Sequence, residues 1–151
     1  HSGLVRAASG LALGETGSTQ YAAKARVIAR AKAEKDKLVV SLEFAPGWHI
    51  NASTVLEKAL IPTQLQSDNT SCYTATAPSY PEGKRVQLGF QDAPLLVYDH
   101  SVSINAQIQP QLESNSGNPE CQIVAAELSL QACSNEVCLA PETLHLRVAN
   151  P

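Results

Sequence analysis

At 151 residues and 44% hydrophobic, the chain has enough material for one domain with its own core. Its net charge of −3, with no basic cluster beyond Lys24–Lys37, excludes an electrostatic footprint for nucleic acid. No apolar run reaches the length of a membrane span, and aromatic residues make up only 5%, so the core must come mainly from Leu, Val, Ile and Ala.

Residues from His1 to about Ser18 are rich in Gly, Ser and Ala and read as a flexible leader or tag remnant. The expected division is a leader over 1–20 and a single domain over 21–151. The chain contains no Met and no signal-peptide pattern, as expected of a processed protein or an excised piece. Ala23 to Ala33 (AKARVIARAKA) alternates at period two and predicts a strand, its lysines and the nearby acids lying on a solvated face. Glu34–Lys37 predicts a hairpin turn, and Leu38–Phe44, apolar and β-branched, predicts a central strand. Pro46-Gly47 marks a turn leading into Trp48-His49-Ile50-Asn51.

Ala52 to Leu60 predicts one helical turn or an irregular crossover that ends at Pro62. Short strands are expected at Thr63–Leu65 and Cys72–Ala75, flanking a polar turn. Pro78–Lys84 reads as a loop, and Val86–Leu96, which carries Phe90, reads as an excursion over the surface. Leu95–Tyr98 and Val102–Ile108 are predicted strands around Asp99-His100, and Pro110–Pro119 is a polar loop before Cys121. Asn51-Ala52-Ser53 and Asn69-Thr70-Ser71 match glycosylation sequons but read as loop polarity. Seven to nine short strands at this spacing, with no long amphipathic helix, predict an all-β, immunoglobulin-like β-sandwich.

The last part of the chain carries the chemistry. Val124–Leu130 and Thr143–Val148 predict two strands of a hairpin, with Cys133 and Cys138 near its mouth and close enough to bond. Four cysteines in a strand-rich chain favour an oxidising compartment. Closing the Cys133–Cys138 loop is worth roughly 2 kcal/mol in the chain-entropy model, against about 4 for a Cys72–Cys121 bond. The short loop is the weaker staple, yet C-x4-C is not the C-x-x-C of thioredoxins, so spacing leaves a redox pair and a structural bridge both open.

Cys72 and Cys121 are expected to form a structural disulfide, since two unpaired thiols would be a liability in an oxidising space. Three pairings are possible, and a four-cysteine zinc site lacks the paired-knuckle spacing. No metal and no cofactor are expected. His49, beside Trp48, is the one histidine that stands out, as a neighbour of the disulfide or a soft-metal ligand, with core or rim packing its expected role; His145 reads as solvent-facing and His100 as a turn residue. Glu136, between the cysteines, would raise a neighbouring thiol's pKa.

Cys138-Leu139-Ala140-Pro141-Glu142-Thr143, preceded by Gln131-Ala132-Cys133, resembles the active-site hairpin of the N-terminal periplasmic domain of DsbD, the bacterial transmembrane thiol:disulfide interchange protein. Ala45-Pro46-Gly47-Trp48-His49-Ile50-Asn51 and Tyr80-Pro81-Glu82-Gly83-Lys84 resemble segments of the same family, in the same order, from about Tyr21 to Val148. The resemblance implies an immunoglobulin-like redox domain with an active-site hairpin and a covering cap loop. It implies a periplasmic protein-disulfide reductase that takes electrons from a thioredoxin-like domain and passes them to periplasmic thioredoxin-fold oxidoreductases. A membrane domain in the full-length protein is implied too.

By the same resemblance Cys138 forms mixed disulfides, Cys133 resolves them, and Phe90 is the aromatic shield of the cap loop. Trp48, His49, Pro141 and Glu136 lie near the site. The chain departs from the family pattern in having four residues between the cysteines instead of five, Ala140 for a proline, and Trp48–Asn51 where paired tyrosines often stand. Those departures point to a divergent branch tied to metal or oxidative stress tolerance. The competing expectation is an extracytoplasmic binding or adhesion module stapled by disulfides, without redox turnover.

Overall fold

The computed structural model describes residues 17–68, 72–87, 93–110 and 122–150. Twelve strands and no α-helix occur among them. The large sheet contains β1 (Gly17–Ala22), β2 (Val27–Glu34), β3 (Lys37–Phe44), β9 (Ser101–Pro110), β6 (Tyr73–Ser79), β10 (Ile123–Leu130) and β12 (Glu142–Ala149), in that spatial order. β5 (Gln64–Ser67) also pairs with β10. The small sheet runs β11 (Ala132–Cys133), β4 (His49–Asn51), β8 (Leu95–Tyr98) and β7 (Lys84–Val86).

Alternation decides which residues face inward. In β2, Val27, Ala29, Ala31 and Ala33 are buried while Arg30, Lys32 and Glu34 face water, as period-two patterning requires. Their exposed face carries the Arg30–Glu43 ion pair at 2.8 Å, in keeping with the solvated face expected of the lysine-rich segment. Leu38, Val40 and Leu42 of β3, Ile104 of β9 and Leu128, Leu130 and Leu146 of β10 and β12 join Ile50, Ala132 and Tyr98 of the small sheet in one core. The two sheets thus share a single interior, the expected all-β sandwich.

Several boundaries differ from expectation for identifiable reasons. The sheet starts at Gly17, inside the stretch read as leader, because β1 pairs with β2 along its whole length. The strand expected from Ala23 starts only at Val27: Ala23, Lys24 and Ala25 form a left-handed turn with φ of 54°, 55° and 69°. No Gly or Asn advertises that turn. It is secured from a distance, the Ala23 N–H donating to the Glu142 carboxylate of β12 at 2.7 Å, so that the two ends of the large sheet meet. Residues 52–60 form bends and turns without a helix, and β6 runs on through Pro78 to Ser79 past a bulge at Ala77, φ 50°. Asn51, read as loop polarity, is a buried strand residue whose amide donates to the Ile61 carbonyl at 2.9 Å.

Tyr98 ties the small sheet to its surroundings. Its hydroxyl donates to the Pro81 carbonyl at 2.8 Å and accepts from the Ser53 N–H at 3.2 Å. Gly83 packs beneath this junction, where a Cβ would lie 2.7 Å from Ala52 Cβ and 3.0 Å from Leu96 Cβ. Gly83→Ala is therefore expected to destabilise the domain by about 1–3 kcal/mol through overpacking. Chemical denaturation checks this, as a lowered midpoint at unchanged slope.

Candidate active site

β10 and β12 pair as expected, from Val124 opposite Val148 to Leu130 opposite Glu142. The segment between them is more than a turn. Two residues after Leu130 the chain has changed sheets, and β11 lies in the small sheet with Ala132 opposite Ile50 and Cys133 opposite His49. Gln131 makes the crossing, its side-chain amide donating to the Leu139 carbonyl at 3.0 Å.

Ser134 then reverses the chain. Its N–H donates to the Val137 carbonyl at 2.7 Å, and its hydroxyl oxygen accepts from the Glu136 and Val137 amides, each at 3.1 Å. A serine hydroxyl that satisfies backbone donors two and three residues ahead is a compact way to fix a turn. The return strand puts Cys138 opposite Cys133, and the Leu139 N–H donates to the Ala132 carbonyl at 2.9 Å. A disulfide closes this small hairpin, with S–S 2.05 Å and Cα–Cα 4.0 Å.

The two sulfurs have unlike surroundings. Cys133 is 4% exposed, whereas Cys138 is exposed beside Val137, an apolar side chain 50% exposed at the hairpin tip. His49, Cys133 and Cys138 stand opposite one another on successive strands, so their side chains share one face of the small sheet. His49 is 7% exposed and its buried Nε2 has no hydrogen-bond partner among the described residues. Burial pushes its imidazole below the ordinary histidine range, and the Asp99 carboxylate opposes that shift.

A cleft of about 190 Å³ lies alongside, lined by Trp48, His49, Asp99, His100 and Asn135 among others. Val86 and Val97, at the root of the β7–β8 hairpin, line it as well. The surface excursion expected over Val86–Leu96 begins and ends in paired strands, with Val86 opposite Leu95. Phe90 lies outside the described residues.

The other expected site residues divide into two groups. Trp48 precedes β4 at the cleft, half-buried, with the Arg26 guanidinium 4.7 Å above its ring. Glu136 lies exposed in the turn, and Pro141 lies exposed between Cys138 and β12. Cys72 is disulfide-bonded but stands at the other end of β10, since its neighbour Tyr73 pairs with Val124 while Cys133 follows Leu130. That separation is about 20 Å along the strand. Its expected partner Cys121 lies outside the described residues. Sequence reasoning missed Ser134, Val137 and the contribution of Asp99, which only the folded chain brings beside His49.

Among the described residues, one group of possible metal ligands occurs, Asp68, Glu127 and His145, half-buried to exposed. His145 is solvent-facing, as expected, and its pairing with Glu127 at 3.6 Å is that of cross-strand neighbours.

A family model described as "Thiol:disulfide interchange protein DsbD, N-terminal" matches residues 19–150. The chain belongs to this family. Among solved structures it is similar to the DsbD N-terminal domain of Neisseria meningitidis in its reduced form, at 13% identity and a TM-score of 0.58, covering 83% of this chain and 86% of that one. That likeness shows the shared fold. No curated protein matches the chain. DsbD N-terminal membership and the Cys133–Cys138 bond together support thiol–disulfide exchange with thiol-redox partners, in a family that is in general periplasmic. No helix among the described residues is long and apolar enough to cross a membrane.

The depressed His49 pKa has a consequence for stability. The unfolded chain binds a proton at this site more readily than the folded one, so His49 favours the fold fully above its unfolded pKa near 6.5. That contribution is lost as pH falls through the lower folded value. The difference in unfolding free energy between wild type and His49→Gln is expected to shrink on going from pH 8 to pH 5, read by denaturant titration at each pH.

Proposed function

We propose that this domain relays reducing equivalents through Cys133 and Cys138. A reduced thioredoxin-like donor attacks Cys138, Cys133 leaves, and the resulting dithiol later reduces a periplasmic thioredoxin-fold oxidoreductase. Cys138 forms the mixed disulfide with either partner and Cys133 resolves it. The observation that supports this order is the difference in access: the sulfur of an incoming partner can reach exposed Cys138, while Cys133 is held at 4% exposure in a sheet.

The surroundings suit such a relay. Val137 and Cys138 present an apolar, reactive tip, and the β7–β8 connection bearing Phe90 serves as the shield that a partner displaces. Partner contact is small and transient, since a relay must release each client. Membrane attachment in the full-length protein brings the donor within reach.

Trapping tests the assignment. Reduced Cys133→Ser, mixed with an oxidised thioredoxin-fold protein, is expected to accumulate a mixed disulfide through Cys138, and Cys138→Ser to give at least about tenfold less adduct. Equal trapping by both variants would show the roles are misassigned. No trapping by either would favour a binding module stapled by disulfides.

A further inference from the structure

Resting on the relay reading, we propose that His49 is the proton acceptor and donor for Cys133 during exchange. Three observations converge on it. His49 is the direct cross-strand partner of Cys133 on the same face of the small sheet, where opposing Cβ atoms are about 5 Å apart. It is 93% buried, reading from its 7% exposure, yet its Nε2 has no hydrogen-bond partner among the described residues in the disulfide form. It also borders the cleft that runs past Asn135 of the disulfide turn, an opening through which protons exchange with water.

A buried polar nitrogen left unpaired is costly, and in native proteins such a group marks strain, a redox or catalytic role, or a bound water or ion. Opening the disulfide supplies the missing partner: Cys133 becomes a thiol, whose S–H donates to the free Nε2. The need is plain from the other side as well. Cys133 is buried with no Lys or Arg adjacent in sequence, and burial disfavours a thiolate.

The electron and proton balance follows. When the donor thiolate attacks Cys138 Sγ, a bond forms between those sulfurs and the Cys138–Cys133 bond breaks. Cys133 departs with the electron pair and receives a proton through His49. The donor's second thiolate then attacks the donor sulfur of this mixed disulfide, so that the donor leaves as its own disulfide and Cys138 departs with the electron pair. In client reduction, Cys138 thiolate attacks the client disulfide and releases one client cysteine. Neutral His49 then takes the Cys133 proton, and Cys133 attacks Cys138 Sγ. The second client cysteine leaves with the electron pair and is protonated by solvent. Two electrons pass to the client, and the domain returns to its disulfide.

The groups that bear on His49 define its protonation. Asp99, just past β8, favours the charged form and is itself paired with Lys84 of β7 at 3.3 Å. His100 lines the same cleft, and Arg26 is engaged over Trp48. Burial outweighs Asp99, so His49 is held as the neutral base that the resolving step needs.

Reaction of the reduced domain with Ellman's reagent separates the steps, because attack by Cys138 releases one aromatic thiolate and resolution by Cys133 releases a second. In wild type the second release is expected to vary little between pH 6 and 8. In His49→Gln it is expected to be at least about tenfold slower near pH 6.5 and to fall about tenfold per pH unit, following the thiol's own ionisation. The first release is expected to be unchanged, a split that a general structural defect would not produce. Identical second phases in wild type and variant would overturn the proposal while leaving the relay intact. Absence of a second release from wild type would overturn the relay itself. Should His49→Gln fail to fold, NMR titration of the wild-type His49 ring in the oxidised and reduced forms decides the matter. The proposal requires different pKa values in the two forms, and equal values would overturn it.

Discussion

The pairing of Cys133 with His49 is the contact on which the site depends. It is a backbone ladder contact, set by the change of sheet at Gln131, and it anchors one sulfur of the disulfide in the interior. The four residues distal to it, Ser134 to Val137, project as a turn closed by the Cys133–Cys138 disulfide. Were β11 to stay in the large sheet as an extension of β10, both cysteines would occupy one solvent-facing turn with equal access. The sheet switch buries one cysteine and leaves the other exposed.

That geometry also sets the Cys133–Cys138 bond apart from the bond at Cys72. The bond at Cys72 lies at the far end of β10, beside the start of β6, and the Cys133–Cys138 bond lies where β10 gives way to the small sheet. The loop closed by the second bond is short, so its entropic contribution to stability is only roughly 2 kcal/mol. The ladder bonds of β11 and the Ser134 turn hold the hairpin independently of the bond.

Much of this was legible in the sequence, and the failures have physical causes. Strands with clear alternation, such as Val27–Ala33 and Leu38–Phe44, announce their buried faces directly, and the β10–β12 hairpin follows from two apolar runs around the cysteines. The left-handed turn at Ala23–Ala25 was not legible, because no Gly or Asn marks it and its support comes from Glu142, 119 positions away. Ser134 carries no sequence signal of its own, and its backbone contacts emerge only once Val137 is brought back against it. His49 could be singled out beside Trp48. That it faces Cys133 is a matter of register between distant strands, which periodicity does not encode.

The central claim, that Cys133–Cys138 is an exchange pair and not a staple, is tested most directly by redox titration in glutathione or dithiothreitol buffers. Differential alkylation and peptide mapping would follow each cysteine separately. The account predicts that Cys133–Cys138 titrates among working oxidoreductases, at roughly −180 to −270 mV, while the bond at Cys72 resists reduction to below about −300 mV. If both bonds resisted alike below that potential, the hairpin disulfide would be structural and the relay reading would be contradicted.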